Sequence, residues 1–197
     1  MSLSELWSLY GQNYIDALLA TWGMTLESFA IAMVLAVAVT VMRVSPLKPL
    51  RVFGDLYVQV FRNIPGIALL IIVVYALPPL KVVLPYRTCV IVATVLLGSA
   101  FGSENFMSGI NTVGVGQVEA ARSLGMSFSR ILAKIVIPQA LRSSVLPMTN
   151  LFIAVMLTTA LGSQVPLKPQ ELTGVVSYIN TRSLGGVAAF FISRSAT

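Results

Sequence analysis

The strongest limit on how this chain can fold is a set of apolar stretches too long and too continuous for a soluble core. From about Thr21 to Met42 the only charge in 22 residues is Glu27. Coiled as an α-helix, that length reaches about 33 Å, enough to cross a hydrocarbon layer of about 30 Å. A second run from about Thr88 to Ile110 carries only Glu104, and 25 residues from Ser143 to Leu167 carry no charge at all. The runs are continuous and do not alternate, which excludes a barrel and predicts helices. Charged residues make up only 10% of the chain, against about 25% in soluble domains. Lipid must therefore supply much of the solvent, and the fold class expected is an all-α integral membrane protein.

A further run, Leu56 to Leu80, is interrupted by Arg62-Asn63-Ile64-Pro65-Gly66. Pro65 removes a backbone donor and Gly66 loosens the turn, so this span is expected to kink or break. Residues 1–20, with Trp7, Tyr10 and Tyr14, read as a short interfacial helix, because Trp and Tyr favour the headgroup layer. Glu27 then falls in the first turns of the first span, where a carboxylate suits the helix dipole. On α-helical spacing Gly98, Gly102 and Gly109 give the third span a surface that lets neighbours approach closely. After the fourth run a polar loop with Lys168, Glu171 and Arg182 is expected. The last apolar run, Ser183 to Ser193, covers only about 16 Å. About five transmembrane helices are expected, the fifth cut short.

The net charge of +6 does not point to nucleic acid, since no basic helix face with interleaved aromatics is present. The basic residues lie between the apolar runs, where they set orientation and meet anionic membrane lipid. With the N-terminus outside, the cytoplasmic side holds Arg43, Lys48, Arg51, Arg62, Arg122, Arg130, Lys134 and Arg142. The outside then holds Lys81, Arg87, Lys168 and Arg182. This distribution favours that orientation and places residues 111–142 in the cytoplasm. The sequence has no histidine and a single cysteine, Cys89, which excludes a His-based metal site and an intrachain disulfide. No G-x4-G-K-[ST] phosphate loop occurs, so the chain cannot hydrolyse ATP by that route. No nucleophile with its base and no catalytic carboxylate pair is evident, and no enzyme activity is expected.

Within residues 111–142, the segment Gln117 to Pro138 predicts a helical hairpin. Gln117 to Leu124 favours helix, Gly125 suits the left-handed residue that ends one, and Ser127 can cap a second helix running to Pro138. In that second helix Phe128, Ile131, Leu132, Ile135 and Val136 cluster on one side.

Glu119-Ala120-Ala121, then Gly125, then Ile135, Ile137 and Pro138, resemble the E-A-A-x3-G-x9-I-x-L-P loop of permease subunits of ABC importers. The one departure is Ile137 for leucine. Val60-Phe61-Arg62-Asn63-Ile64-Pro65-Gly66 is similar to the V-F-R-x-T-P stretch of the polar amino-acid permeases, with Ile64 in place of the usual threonine. Ser103-Glu104 through Gly109-Ile110 resembles their A-E-x-x-R-x-G-I segment, with Met107 where arginine is usual. Pro138 to Arg142 and Glu171-Leu172-Thr173 continue the likeness. Met42 to Pro46 and Gly109 to Val113 look closest to glutamate uptake permeases.

The resemblance implies a single ABC-importer-type transmembrane domain over 1–197, with 111–142 as its cytoplasmic coupling loop. Glu119, Ala120, Ala121, Gly125, Ile135, Ile137 and Pro138 would dock the loop into a separate ATP-binding subunit. Ala120 and Ala121 would offer it a small face. That subunit would bind ATP and Mg; this chain needs no cofactor. A second permease chain, identical or homologous, and an extracytoplasmic solute-binding protein complete the expected assembly in a bacterial plasma membrane. Polar groups near broken helices serve transport sites. Arg62, Asn63, Glu104, Asn150, Thr158, Thr159 and Gln164 are the candidates for the solute path, with interhelical hydrogen bonding as their competing role. The competing reading of the whole chain is a stand-alone ion-coupled secondary carrier or channel.

Overall fold

In a computed structural model, residues 3–182 are described. Every regular element among them is helical. Helix α1 runs without interruption over Leu3–Val44, so the separate interfacial helix expected for residues 1–20 does not exist as such. The reason is local: no proline occurs before Pro46. Gly11 and Gly23 each cost only about 1 kcal/mol against alanine. At about 63 Å, α1 is twice the length a membrane requires. Glu27 consequently sits mid-helix rather than at a dipole end, and its carboxylate is held by Arg87 Nη at 2.5 Å.

Helix α2 spans Lys48–Asn63 and α3 spans Gly66–Ile71. Between them Ile64 is extended, with φ −84° and ψ 126°. Pro65 clashes with a helical conformation at the residue before it and removes a donor, which breaks the span as expected. A π turn over Ile72–Ala76 and a 3-10 turn over Pro78–Leu80 follow. Helix α4 covers Tyr86–Asn111. Next come α5, Val115–Ser123, and α6, Phe128–Ile131; a π turn over Leu132–Val136 leads into α7, Ile137–Thr158. A 3-10 segment, Thr159–Gln164, precedes α8, Leu172–Arg182.

Among the described residues, three helical stretches are long and apolar enough to span: Trp7–Val44, Tyr86–Asn111 and Phe128–Gln164. The broken pair Lys48–Asn63 with Gly66–Leu80 can count as a fourth. The fifth expected run, Ser183 to Ser193, lies outside the described residues.

The chain divides into two compact units. Among the described residues, one comprises 3–27, Gly66–Ala93 and 156–182. There the apolar face of α8, Val175 and Ile179, packs on Ala17 of α1, with Tyr10, Tyr14, Leu172 and Tyr178 around it. The spacing 172, 175 and 179 is helical, so the polar loop expected here is a helix from Leu172 onward. Glu171 starts it. Its buried carboxylate accepts the backbone N–H groups of Thr173 and Gly174 at 2.6 and 2.7 Å, which satisfies donors that a helix start leaves orphaned.

The other unit comprises Ser28–Pro65 and Thr94–Val155. Its helices meet at close range along α4. A β-carbon on Gly102 would stand 2.9 Å from Ala36 Cβ, and one on Gly98 would stand 3.2 Å from Ala32 Cβ. At Gly109 an added carbon would run into Ser144 Oγ and lie 2.6 Å from Ala140 O. The α4–α7 crossing is also hydrogen-bonded: Asn105 Nδ2 donates to Pro147 O at 3.2 Å, and Ser144 Oγ to Asn105 O at 3.3 Å.

Candidate functional site

Two places in this second unit bring the sequence candidates together. The first is the hairpin. Helix α5 ends in a Schellman turn, with Met126 N–H donating to Ala121 O at 3.1 Å and Gly125 N–H to Arg122 O at 2.9 Å. The turn requires a left-handed residue at Gly125, whose φ is 74°, and only glycine takes that conformation without strain. Ser127 is extended, as a cap must be, but its hydroxyl makes no capping bond. Instead its carbonyl accepts from the N–H groups of Arg130 and Ile131, both at 3.0 Å.

The arms close on a small apolar core of Val113, Ala121, Ile131 and Val136. Ile110, Val118, Met126, Leu132 and Ile135 pack around it. Ala121 is 3% exposed, so it cannot belong to an outward docking face as expected. A small side chain is needed there because the two arms meet at that point. Ala120 and Glu119 face outward, as do Ile137 and Pro138. Leu124, next to the turn, is 83% exposed. Gln139 Nε2 braces the two arms, donating to Gln117 Oε1 at 2.6 Å.

The second arm does not stop at Pro138. It continues into α7, and the π turn just before explains why. Pro138 has no N–H to give and its ring crowds the carbonyl four residues earlier, that of Lys134. Lys134 lies within the π turn, Leu132–Val136, where the wider winding relaxes the ladder at that point.

The second place is a cavity of about 340 Å3 lined by Arg43, Asp55, Val58, Gln59, Arg62, Asn63, Phe101 and Glu104. Arg43 Nε contacts Asp55 Oδ1 at 2.9 Å, and an Nη contacts Glu104 Oε2 at 3.1 Å. Arg62 reaches the same Glu104 oxygen at 3.5 Å and lies over the Phe101 ring, 5.5 Å from its centroid. Ser103 Oγ receives both Arg43 Nη at 3.3 Å and Thr40 Oγ1 at 3.1 Å. Asn63 closes α2 by donating to Gln59 O at 2.6 Å.

Of the expected solute-path residues, Arg62, Asn63 and Glu104 thus meet around one cavity. Asn150 sits exposed on α7. Thr158 and Thr159 belong to the first unit. Thr159 is buried and donates to Met156 O at 2.6 Å; Gln164 donates to Ser163 Oγ at 3.0 Å. Arg43, which reads in the sequence as an orienting charge, and Asp55 join Arg62, Asn63 and Glu104 at the cavity. The available signal was that a charge next to apolar runs tends to be paired and functional, but their pairing is tertiary. No group of metal-ligating residues occurs among the described residues.

The sequence profile of the family described as binding-protein-dependent transport system inner membrane component matches residues 28–172, which include both places. The chain is similar to the glutamate transport system permease protein GluC of Corynebacterium efficiens. The two are 35% identical over 173 residues, covering 82% of this chain and 76% of that protein. It is also similar to the L-cystine transport system permease protein TcyB of Bacillus subtilis, 32% identical over 94% of this chain and 80% of the other. Among solved structures, an amino acid ABC transporter crystallised with histidines matches with a TM-score of 0.86. Identity is 25%, and the match covers 100% of this chain and 91% of that one.

Proposed function

The chain belongs to the family of binding-protein-dependent transport system inner membrane components, and from that premise we propose that it is the permease subunit of an ATP-driven importer for glutamate or a related polar amino acid. As a multi-pass protein of the inner membrane it needs no cofactor of its own. ATP and Mg belong to the separate ATP-binding subunits. A second permease chain and an external solute-binding protein complete the importer. The N-terminus faces outside, and residues 111–142 form the cytoplasmic coupling loop of one transmembrane domain.

The observation that carries this reading is the hairpin. It has its own apolar core, so it keeps its shape without a partner. Meanwhile Glu119, Ala120 and the exposed Leu124 look outward beside the Gly125 turn. Such an element can enter a groove on the ATP-binding subunit and pass that subunit's closure to α7, with which it is continuous through the π turn. Ile137 and Pro138 stand where hairpin and helix join. Ala121 and Ile135 act from within, holding the two arms together. Arg62, Asn63 and Glu104 line the solute route.

Gly125→Asp tests the coupling. No neighbouring atom of this chain comes within 4 Å of a β-carbon at Gly125, and Asp tolerates a left-handed backbone better than most residues. The hairpin is therefore expected to persist while bulk and charge at its tip block docking. ATP-driven uptake in proteoliposomes should be abolished while the protein stays in the membrane. Full uptake by the assembled variant complex would refute the docking role. Transport by the purified chain alone on an ion gradient would establish the carrier reading instead.

A further inference from the structure

The charged cavity contains two guanidinium groups and two carboxylates, but they are not shared evenly. The Arg43 side chain is 11% exposed, against 40% for Arg62. Arg43 bonds both acids, Asp55 at 2.9 Å and Glu104 at 3.1 Å. A rigid guanidinium fork can bridge two acceptors in this way, whereas a lysine ammonium is a point charge. Gly54 makes room for the reach, since a β-carbon there would stand 2.8 Å from Arg43 Cγ. Among the described residues Arg62 has only the longer 3.5 Å contact to an acid, and its guanidinium carbon lies over Phe101, 5.5 Å from the ring centroid. Five N–H donors are more than that one contact uses, and the 40% exposed side chain offers the rest to the cavity.

We propose that Arg43 sets the charge preference of the solute route. By holding Asp55 at 2.9 Å and Glu104 at 3.1 Å, it leaves the Arg62 guanidinium, with its looser 3.5 Å contact to Glu104, as the group offered to a solute carboxylate. The cavity then takes an acidic solute and turns away a cationic one. This rests on the permease reading above and assigns roles within its solute path. A cationic side chain entering the cavity meets carboxylates already bonded and a like charge at Arg62. An entering carboxylate meets open N–H donors in a space of about 340 Å3, within the roughly 300–1,000 Å3 of small-molecule sites. The charges of the lining are +2 from Arg43 and Arg62 and −2 from Asp55 and Glu104, hence zero; without Arg43 the sum is −1. Arg43 is a positioning residue here, because it acts on solute through its hold on the two acids.

The test is equilibrium binding of labelled glutamate and of labelled arginine to the permease–ATPase complex, without binding protein, in phosphatidylcholine vesicles. Wild type is expected to favour glutamate. Arg43→Gln should lower the glutamate-to-arginine ratio by roughly tenfold or more, the worth of one charge-assisted hydrogen bond. Arg43→Lys should fall between the two. Arg43→Gln combined with Glu104→Gln returns the cavity to zero charge and should restore the ratio, a rescue that a purely structural role for Arg43 would not give. An unchanged ratio in intact Arg43→Gln complex, a double variant no better than the single one, or a wild type that prefers arginine would each overturn the proposal. Glutamate binding should persist when phosphatidylglycerol is added to the vesicles; its loss would assign Arg62 to lipid phosphate and also overturn it. ATP-driven glutamate uptake with an unmoved ratio refutes the role of Arg43 alone. Uptake independent of ATP refutes the permease reading beneath it.

Discussion

The hairpin around Gly125 and the cavity around Arg43 lie in the same compact unit but are held by different forces. The hairpin closes on apolar side chains and a backbone turn, with its charges pointing away. The cavity closes on ion pairs, three of its four charged side chains at least 39% exposed. Apolar packing is non-directional and tolerates no polar intruder. Exposed ion pairs contribute little to stability and can be exchanged for a ligand. The difference suits the hairpin to transmit a displacement without deforming, and the cavity to open its contacts and close them again.

The largest test of that contrast is Ala121→Glu set against Ala120→Glu. Burying a carboxylate in the hairpin core should cost about 3 kcal/mol or more, visible as a lowered midpoint of thermal unfolding in detergent. The neighbouring change, on an exposed position, should leave the midpoint within about 0.5 kcal/mol of wild type and still impair uptake. Equal midpoints for the two would break the comparison. Next comes Gly109→Ala at the α4–α7 crossing, where an overpacked carbon should cost about 1–3 kcal/mol. Adding Ser144→Ala relieves one contact but leaves the Ala140 carbonyl in the way, so most of the loss should remain on the same assay. The smallest effect is expected from Asp55→Asn. This exposed end of an ion pair should shift stability by less than about 1 kcal/mol, with the shift shrinking further as salt is added. A larger loss would show that the cavity is a structural core after all.

The hairpin was legible in the sequence because its determinants are local. A left-handed glycine, a helix former before it and a 131, 135, 136 apolar set all act within a few residues. The break at Ile64-Pro65 was legible for the same reason. What local reading missed depends on long-range partners. Glu27 reads locally as a dipole-end carboxylate because its partner Arg87 lies sixty residues away. Arg43 and Asp55 look like ordinary loop-flanking charges until α1, α2 and α4 bring them beside Glu104. Ala121 and Ala120 are identical in composition, and only the second arm distinguishes the buried one from the exposed one. In the unbroken α1, Tyr10 and Tyr14 pack around the contact with α8, so aromatic residues near the start of the chain do not mark a helix end. In α8 the charges Lys168, Glu171 and Arg182 flank a periodic apolar set at 172, 175 and 179 that gains its partner only from α1.

Ile131 and Val136 both enter the hairpin core, although in an uninterrupted α-helix residues five apart would diverge by about 140°. The π turn between them works as a phase adjuster, turning the rod by the one extra residue it holds. Below it the tip can vary its outward residues to match a changing partner. Above it the rod keeps the bearing set by the Gly109 crossing, so the two ends can be tuned separately without twisting each other out of line.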